Sequence, residues 1–354
     1  MTATDTSPRP GVAEDQLELL LELLTTGSPS GFEDAASQVW QAAARELGAT
    51  VSVDAIGNTY ATVNAGASRR VAIIGHLDEI GLIVTKIDDK GFIRCASIGG
   101  WDTAVLIGQR VQILTDDGVV YGSIGRPAVH VLDAAEKDKM PKIASLWIDI
   151  GAADGDAARA QVRIGDAVVL DVEPIQLNEH RLMSRSLDNR VGAFIALRAA
   201  VACKGADVEV TAVGSICEEI GGIGAQTAAY GLNPDAAIVV DVTTPGDTPS
   251  SGDAGDLSLG AGPILTRGAS TTVSVVDALV AAANQQDIPV QMRGLGIRTR
   301  TDADSVVRAG GGVPVGLVSI PGRYLHTPCE QVDLRDVQSA IDLIAAWACG
   351  ADAS

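Results

Sequence analysis

The chain has 354 residues, enough for two domains with separate cores, and is 46% hydrophobic but only 3% aromatic, so its core must be built from Ala, Val, Ile and Leu. Its 45 acidic against 26 basic side chains leave a net charge of −19, which argues against nucleic acid and anionic membrane as partners. Five cysteines (Cys95, Cys203, Cys217, Cys329, Cys349), scattered and without a CxxC, suit free thiols in a reducing compartment. With no signal-peptide pattern and no apolar run long enough to span a bilayer, a cytoplasmic location is expected.

Residues 1–11 read as disordered. Helical spacing of apolar residues runs from Glu14 to Leu24, with Gly27 as a stop, and Ser30-Gly31-Phe32-Glu33 fits a capping box opening a second helix to about Leu47. Alternation over Ala49–Asp54 and Thr59–Val63 around Gly57-Asn58 predicts a hairpin, and Val71–Gly75 a buried strand ending at His76-Leu77-Asp78. After Gly81 the pattern changes to short β segments separated by turn signals, up to about Val172, with a charged loop over Ala134–Lys142. This predicts a small all-β domain, a half-open barrel, inserted at residues 81–177 into an α/β domain formed by residues 1–80 and 178–354.

Alternation of helix and strand then resumes. Leu187–Cys203 predicts a helix, and Glu209–Cys217 a buried parallel strand ending at Glu218-Glu219, where Gly221 and Gly222 turn the chain into a helix to about Tyr230. A strand over Ala236–Val240 ends at Asp241; Val273–Gln285 is helical, Pro289–Arg293 a strand, and Asp302–Ala309 helical. A strand over Val315–Ile320 leads to the loop carrying His326, and a final helix is capped by Asp333 and closed by Gly350.

Ligand sites of open α/β sheets lie at the carboxyl ends of strands. There the sequence places His76, Asp78, Glu218, Glu219 and Asp241, with His326 just past another strand and Asp188 where the chain enters a helix. Two of only four histidines fall at these positions; His130 and His180 lie in or beside the β insertion and read as structural or rim residues. Imidazole and carboxylate donors without thiolate suit Zn²⁺, Co²⁺ or Mn²⁺. Three of these carboxylates with the two imidazoles already exceed what one tetrahedral ion with an open position takes, but suffice for two ions about 3.5–4 Å apart if one carboxylate bridges. Each residue also has a plainer reading: Asp188-Asn189 as a helix cap, Asp241 as the cap of the next turn, Glu218-Glu219 as a solvated acidic turn. The run Gly221-Gly222-Ile223-Gly224 lacks the lysine and spacing of a nucleotide loop.

In order, the segments SPSGFE at Ser28, GHLDEIGLIV at Gly75, GGW at Gly99, IDIGA at Ile148, LDNRVG at Leu187, CEEIGGIGA at Cys217, VVDVT at Val239, TDAD at Thr301 and PGRYLHTP at Pro321 resemble those of the TET-type metallo-aminopeptidases, metallopeptidase family 42. The resemblance implies a mixed sheet with helices on both faces, of the di-zinc exopeptidase type, and a PDZ-like dimerisation domain for the insertion. It implies two divalent ions, zinc or cobalt and also manganese. One is held by His76, Asp188 and Asp241 and the other by Asp188, Glu219 and His326, with Glu218 as general base and Asp78 orienting His76. Peptide substrates, dimers and a tetrahedral dodecamer are implied with them. Arg300 and Thr327 depart from the family pattern at positions that are not ligands. Rival readings are a related di-metal carboxypeptidase or N-acyl amino acid amidohydrolase, and a non-catalytic oligomeric scaffold. An endoglucanase lacks support, because no acid/nucleophile pair with aromatic sugar platforms is evident.

Overall fold

The computed structural model describes residues 11–131, 133, 139–249 and 256–350. The segment expected to be disordered lies outside these residues except for Gly11, and most of the charged 134–142 loop is outside them too.

Helices α1 (Glu14–Thr25) and α2 (Asp34–Glu46) form where the periodicity places them. Leu20, Leu23 and Leu24 are fully buried, and the indole of Trp40 donates to the Ala193 carbonyl at 2.9 Å. The capping box does not form. Ser30 Oγ donates instead to Asp78 Oδ2 at 2.6 Å, and Glu33 Oε1 accepts from the backbone of Gly31 and Cys217 at 2.8 and 3.0 Å. A buried ionised acceptor outcompetes the helix end for the hydroxyl.

The main sheet has eight strands in the order β1-β2-β12-β3-β13-β16-β14-β15. These are β1 (Thr50–Val53), β2 (Thr59–Val63), β3 (Arg70–His76), β12 (Glu209–Ser215), β13 (Ala236–Thr243), β14 (Ile264–Gly268), β15 (Gln291–Leu295) and β16 (Val315–Pro321). The central four, β12, β3, β13 and β16, are parallel; β1/β2, β2/β12 and β14/β16 pair antiparallel. Successive side chains alternate between two faces. Ile73, Ile238 and Val240 point to one core; Ala72, Ile74, Ala237 and Val239 point to the other. This explains why these strands read as unbroken apolar runs. The first core is completed by α1, α2, α4 (Leu187–Ala202), α6 (Val273–Gln285) and α8 (Leu334–Cys349), the second by α5 (Ile223–Leu232) and α7 (Ala303–Val306).

Between β3 and β12 the chain builds a separate six-stranded barrel, in the order β4-β5-β8-β7-β6-β9. Its strands are β4 (Gly81–Ile87), β5 (Ile93–Ile98), β6 (Arg110–Thr115), β7 (Gly118–Gly125), β8 (Trp147–Asp149) and β9 (Ala167–Leu170), with the short helix α3 (Gly155–Arg159) before β9. It is closed rather than half-open, because β9 pairs with both β4 and β6 and leaves no edge to solvent. Leu82, Ile93, Val111, Ile113 and Ile148 fill it. A third sheet, antiparallel, of β10 (Ile175–Gln176), β11 (Arg181–Ser184) and β17 (Glu330–Asp333), sets Ser184 opposite Glu330.

Several boundaries differ from expectation. Strand β12 stops at Ser215, three residues before Glu218, because Cys217 takes a φ of 56° and leaves the pleat. Strand β15 starts two residues late, α7 is only one turn long, and β14 was not foreseen.

Helix α4 lies against β3 at a glycine contact. A Cβ on Gly75 would stand 2.4–2.6 Å from the backbone of Gly192 and Ala193. Gly75→Ala is expected to destabilise the fold by about 1–3 kcal/mol, read as a lower urea midpoint, because the clash is with backbone that no side-chain rotation relieves.

Candidate metal centre

The parallel strands end on one side of the sheet. Two residues beyond the last registered pair of β3 and β13, Ile74 with Val239, stand His76 and Asp241. Register alone makes them neighbours.

Asp188 enters from the start of α4, where the first residues are not yet helical: Asp188 has φ −80° and ψ 102°. Asn189 does the capping, its Oδ1 accepting from Gly192 N at 3.0 Å while its Nδ2 donates to the Val240 carbonyl at 2.8 Å. The side chain of Asp188 is thereby left free for the site. Glu218 and Glu219 sit on the turn after β12, and Asp78 holds that turn: its two oxygens accept from Glu218 N at 3.0 Å and Glu219 N at 3.1 Å. His326, at φ 60°, lies between β16 and β17.

The reactive atoms converge. His76 Nε2 is 3.3 Å from Asp188 Oδ1, 3.9 Å from Asp241 Oδ1 and 3.9 Å from Glu218 Oε2. His326 Nε2 is 3.4 Å from the other Asp188 oxygen and 3.4 Å from Glu219 Oε1. Two donors about 2.0–2.1 Å from one tetrahedral ion stand about 3.3–3.4 Å apart. These spacings are those of paired ligands, and Asp188 offers one oxygen to each imidazole. Ligand atoms of His76, Asp188 and Glu219 all lie within 4.8 Å of one another.

The far sides of both rings fit the same use. His326 Nδ1 lies 2.9 Å from the Gly100 carbonyl, and His76 Nδ1 lies 3.1 Å from the Asp78 carbonyl and 3.4 Å from its carboxylate. A carbonyl only accepts, so Nδ1 carries the proton and Nε2 keeps its lone pair for a cation. Gly100 belongs to the barrel segment between β5 and β6, which thereby contributes to the site.

Without a cation the centre has more carboxylates than its imidazoles balance. Asp188 and Glu219 push His326 up to about 11. Burial, aided by Asp241, Asp302 and Glu219 and opposed by His76, pushes Glu218 up to about 10. Burial and the charge of Asp188 raise Asp241 well above its ordinary value. Against burial, which would raise it, the imidazoles of His326 and His76 hold Asp188 below its ordinary range. Two imidazoles and a surplus of buried carboxylates with no thiolate among them fit a borderline divalent cation.

Sequence reasoning missed Glu330. Its Oε1 accepts from His326 N at 2.8 Å and its Oε2 from Asp188 N at 2.9 Å, so one buried carboxylate positions both residues. An acidic residue four positions after His326 was the available signal. Asp302, read as a helix start and as part of the TDAD segment, was given no role at the site; it is buried, accepts from Ser215 Oγ at 2.7 Å and pushes on Glu218. His130 and His180 stay outside the cluster. A cavity of about 140 Å³ opens beside Asp188, Glu218, Glu219, Asp241 and His326, walled by Thr243, Thr266, Arg293, Thr299, Arg300 and Leu317.

Residues 57–343 match the M42 glutamyl aminopeptidase family. The chain belongs to that family. It is on that ground a hydrolase of the aminopeptidase class. The lysyl aminopeptidase of Pyrococcus furiosus is 31% identical over 339 residues, 93% of this chain and 95% of its own. The TET aminopeptidase of a marine sediment Thaumarchaeota archaeon shares 29% identity and superposes with a TM-score of 0.90, covering 96% of this chain and 98% of that one. The TET1 peptidase of Pyrococcus horikoshii, described as able to assemble into a tetrahedron or a large octahedral shell, shares 28% identity with a TM-score of 0.81, covering 94% and 99%. Among the described residues no helix is long and apolar enough to cross a membrane.

Two outcomes are expected. In the metal-free protein the folded pKa values of Glu218 and His326 lie above their ordinary 4.5 and 6.5, so the folded state keeps protons the unfolded chain has released. Their contribution is present below those ordinary values and is lost as pH rises toward about 10 and 11. A divalent cation must expel these protons, so zinc titration at pH 7, followed by calorimetry in two buffers of different ionisation enthalpy, shows net proton release. Proton uptake would contradict the electrostatics. Separately, Glu330→Ala should weaken metal affinity about 10–100-fold, measured by competition with a chromophoric chelator.

Proposed function

We propose that this protein is a di-metal aminopeptidase that removes N-terminal residues from peptides, with Glu218 as general base. The observation that carries the reading is the division of Asp188 between His76 and His326, at 3.3 and 3.4 Å, which is what a carboxylate bridging two ions requires. His76, Asp188 and Asp241 would hold one ion, and Asp188, Glu219 and His326 the other. Zinc or cobalt suits this donor set best, and manganese is compatible with it.

When bound, the ions lower the pKa of a water towards neutrality and polarise the scissile carbonyl. Asp78 keeps His76 in the tautomer that offers Nε2, and holds the backbone of Glu218 and Glu219 so that their side chains face the cavity. Glu218 takes a proton from the attacking water and returns it to the departing amine. The burial and neighbouring negative charge that raise its affinity for a proton suit a base that must hold and then release one. The substrate's free α-amine is drawn to the acidic cluster, and the cavity walled by Thr243, Arg293 and Leu317 receives the N-terminal side chain.

Residues 81–177 form the inserted module in this reading. Association into dimers and a tetrahedral dodecamer belongs to it too, supported by the TET1 relative and by exposed Val119 and Tyr121 on β7 of the barrel. The thiols and the lack of a spanning helix among the described residues support a cytoplasmic setting.

One observation favours a second reading. Arg293 and Arg300 line the same cavity and would suit a substrate carboxylate, as in a carboxypeptidase or N-acyl amino acid amidohydrolase. Amino-acid p-nitroanilides and N-acyl amino acids, each assayed with and without chelator, separate the two.

Glu218→Gln is expected to keep its metal by elemental analysis and lose about 10²–10⁴-fold in kcat, because an amide cannot accept the proton. Asp188→Asn is expected to lose metal as well as activity. Wild-type turnover in Glu218→Gln would remove the base from the mechanism.

A further inference from the structure

We propose that Cys203 and Cys349 are a redox-active pair that closes into a disulfide on exposure to a low-molecular-weight disulfide. Cys203 follows the last turn of α4 and Cys349 ends α8, and their sulfurs lie 2.7 Å apart. A disulfide bond is about 2.05 Å, so a movement of well under an ångström joins them. Among the described residues no other two thiols meet. Cys95 is buried in the barrel core, Cys217 packs against Glu33, and Cys329 is exposed.

The two sulfurs have different surroundings, which sets the order of events. Cys349 is exposed and Cys203 buried. The guanidinium of Arg69 donates to the carbonyls of Ala348 and Gly350, on either side of Cys349, and so places a positive charge beside that sulfur. The thiol of Cys203 and then Arg69 bring Cys349 down to about 7, while Cys203 is raised. Cys349 is therefore the attacking thiolate. Its sulfur displaces one half of the incoming disulfide as a thiolate, forming a mixed disulfide on Cys349. Cys203 then loses its proton and attacks Cys349 Sγ, and the second half leaves as thiolate. Two protein thiols are oxidised by two electrons, and one small disulfide is reduced to two thiols. In a reducing compartment the pair remains a dithiol.

The bond would join the distal ends of two helices whose other ends serve the metal centre. Asp188 opens α4, and Glu330 sits on the strand leading into α8. The helix separates Cys203 from Asp188 by about 22 Å, so the link should tighten the fold and leave turnover unchanged.

The experiment treats the purified full-length protein with excess oxidised glutathione, then counts thiols in denaturant and maps peptides without reduction. The expected result is the loss of two of the five thiols, a peptide cross-link between Cys203 and Cys349, and a thermal midpoint raised by roughly a few degrees. Cys203→Ser and Cys349→Ser should each abolish both effects; Cys329→Ser should keep them. Five reactive thiols after treatment, a glutathione adduct on Cys349 that never resolves, or a cross-link through Cys329 would each overturn the proposal. These readouts need no peptidase activity, so they stand or fall separately from the proposed reaction.

Discussion

One carboxylate ties the centre together. Asp188 presents an oxygen to each of two imidazoles far apart in the sequence, and among the described residues no other carboxylate lies within 4.0 Å of both. Its position is over-determined. The backbone of Asp188 is held by Glu330, its neighbour Asn189 is bonded to β13, and α4 can approach β3 only because Gly75 carries no side chain where it meets the backbone of Gly192 and Ala193. A carboxylate fixed on three sides needs little reorganisation when a cation arrives, which suits the metal site we propose for this acidic cluster.

The electrostatic cost of that arrangement is spread over the surrounding residues. Asp78 steadies the ring of His76, accepts the hydroxyl of Ser30, and collects the backbone N–H groups of Glu218 and Glu219. Each such bond offsets part of the penalty of a buried charge. Glu33 does the same for Cys217, one residue before the pair. The segment beginning at Ser28 is therefore part of the support of the site and not simply the start of a helix. The barrel takes part as well, since the carbonyl of Gly100 sets the tautomer of His326.

The two long helices divide their roles by end. At the sheet's carboxyl side α4 delivers Asp188 and the strand before α8 delivers Glu330; at the opposite side the same helices bring two thiols together beside Arg69. Chemistry sits at one end of the pair, and the covalent reinforcement we infer sits at the other.

Much of this molecule was legible in its sequence for a simple reason. Buried parallel strands demand uninterrupted apolar runs, so Val71–Gly75, Ala236–Val240 and Val315–Ile320 announce themselves, and the polar residues ending them must be exceptions with a purpose. Those exceptions marked His76, Asp241 and the Glu218-Glu219 turn, and the change of pattern after Gly81 marked the barrel. Local pattern could not show that the barrel closes, that Ser30 abandons its helix for Asp78, or that β14 joins the sheet, because each depends on a partner far along the chain. The reach of Glu330 to Asp188 and the pairing of Cys203 with Cys349 were hidden for the same reason. The sequence by itself determined which side chains were available for the chemistry; only the tertiary structure decided which of them meet, because distance in space is set by strand register and helix packing and not by separation along the chain.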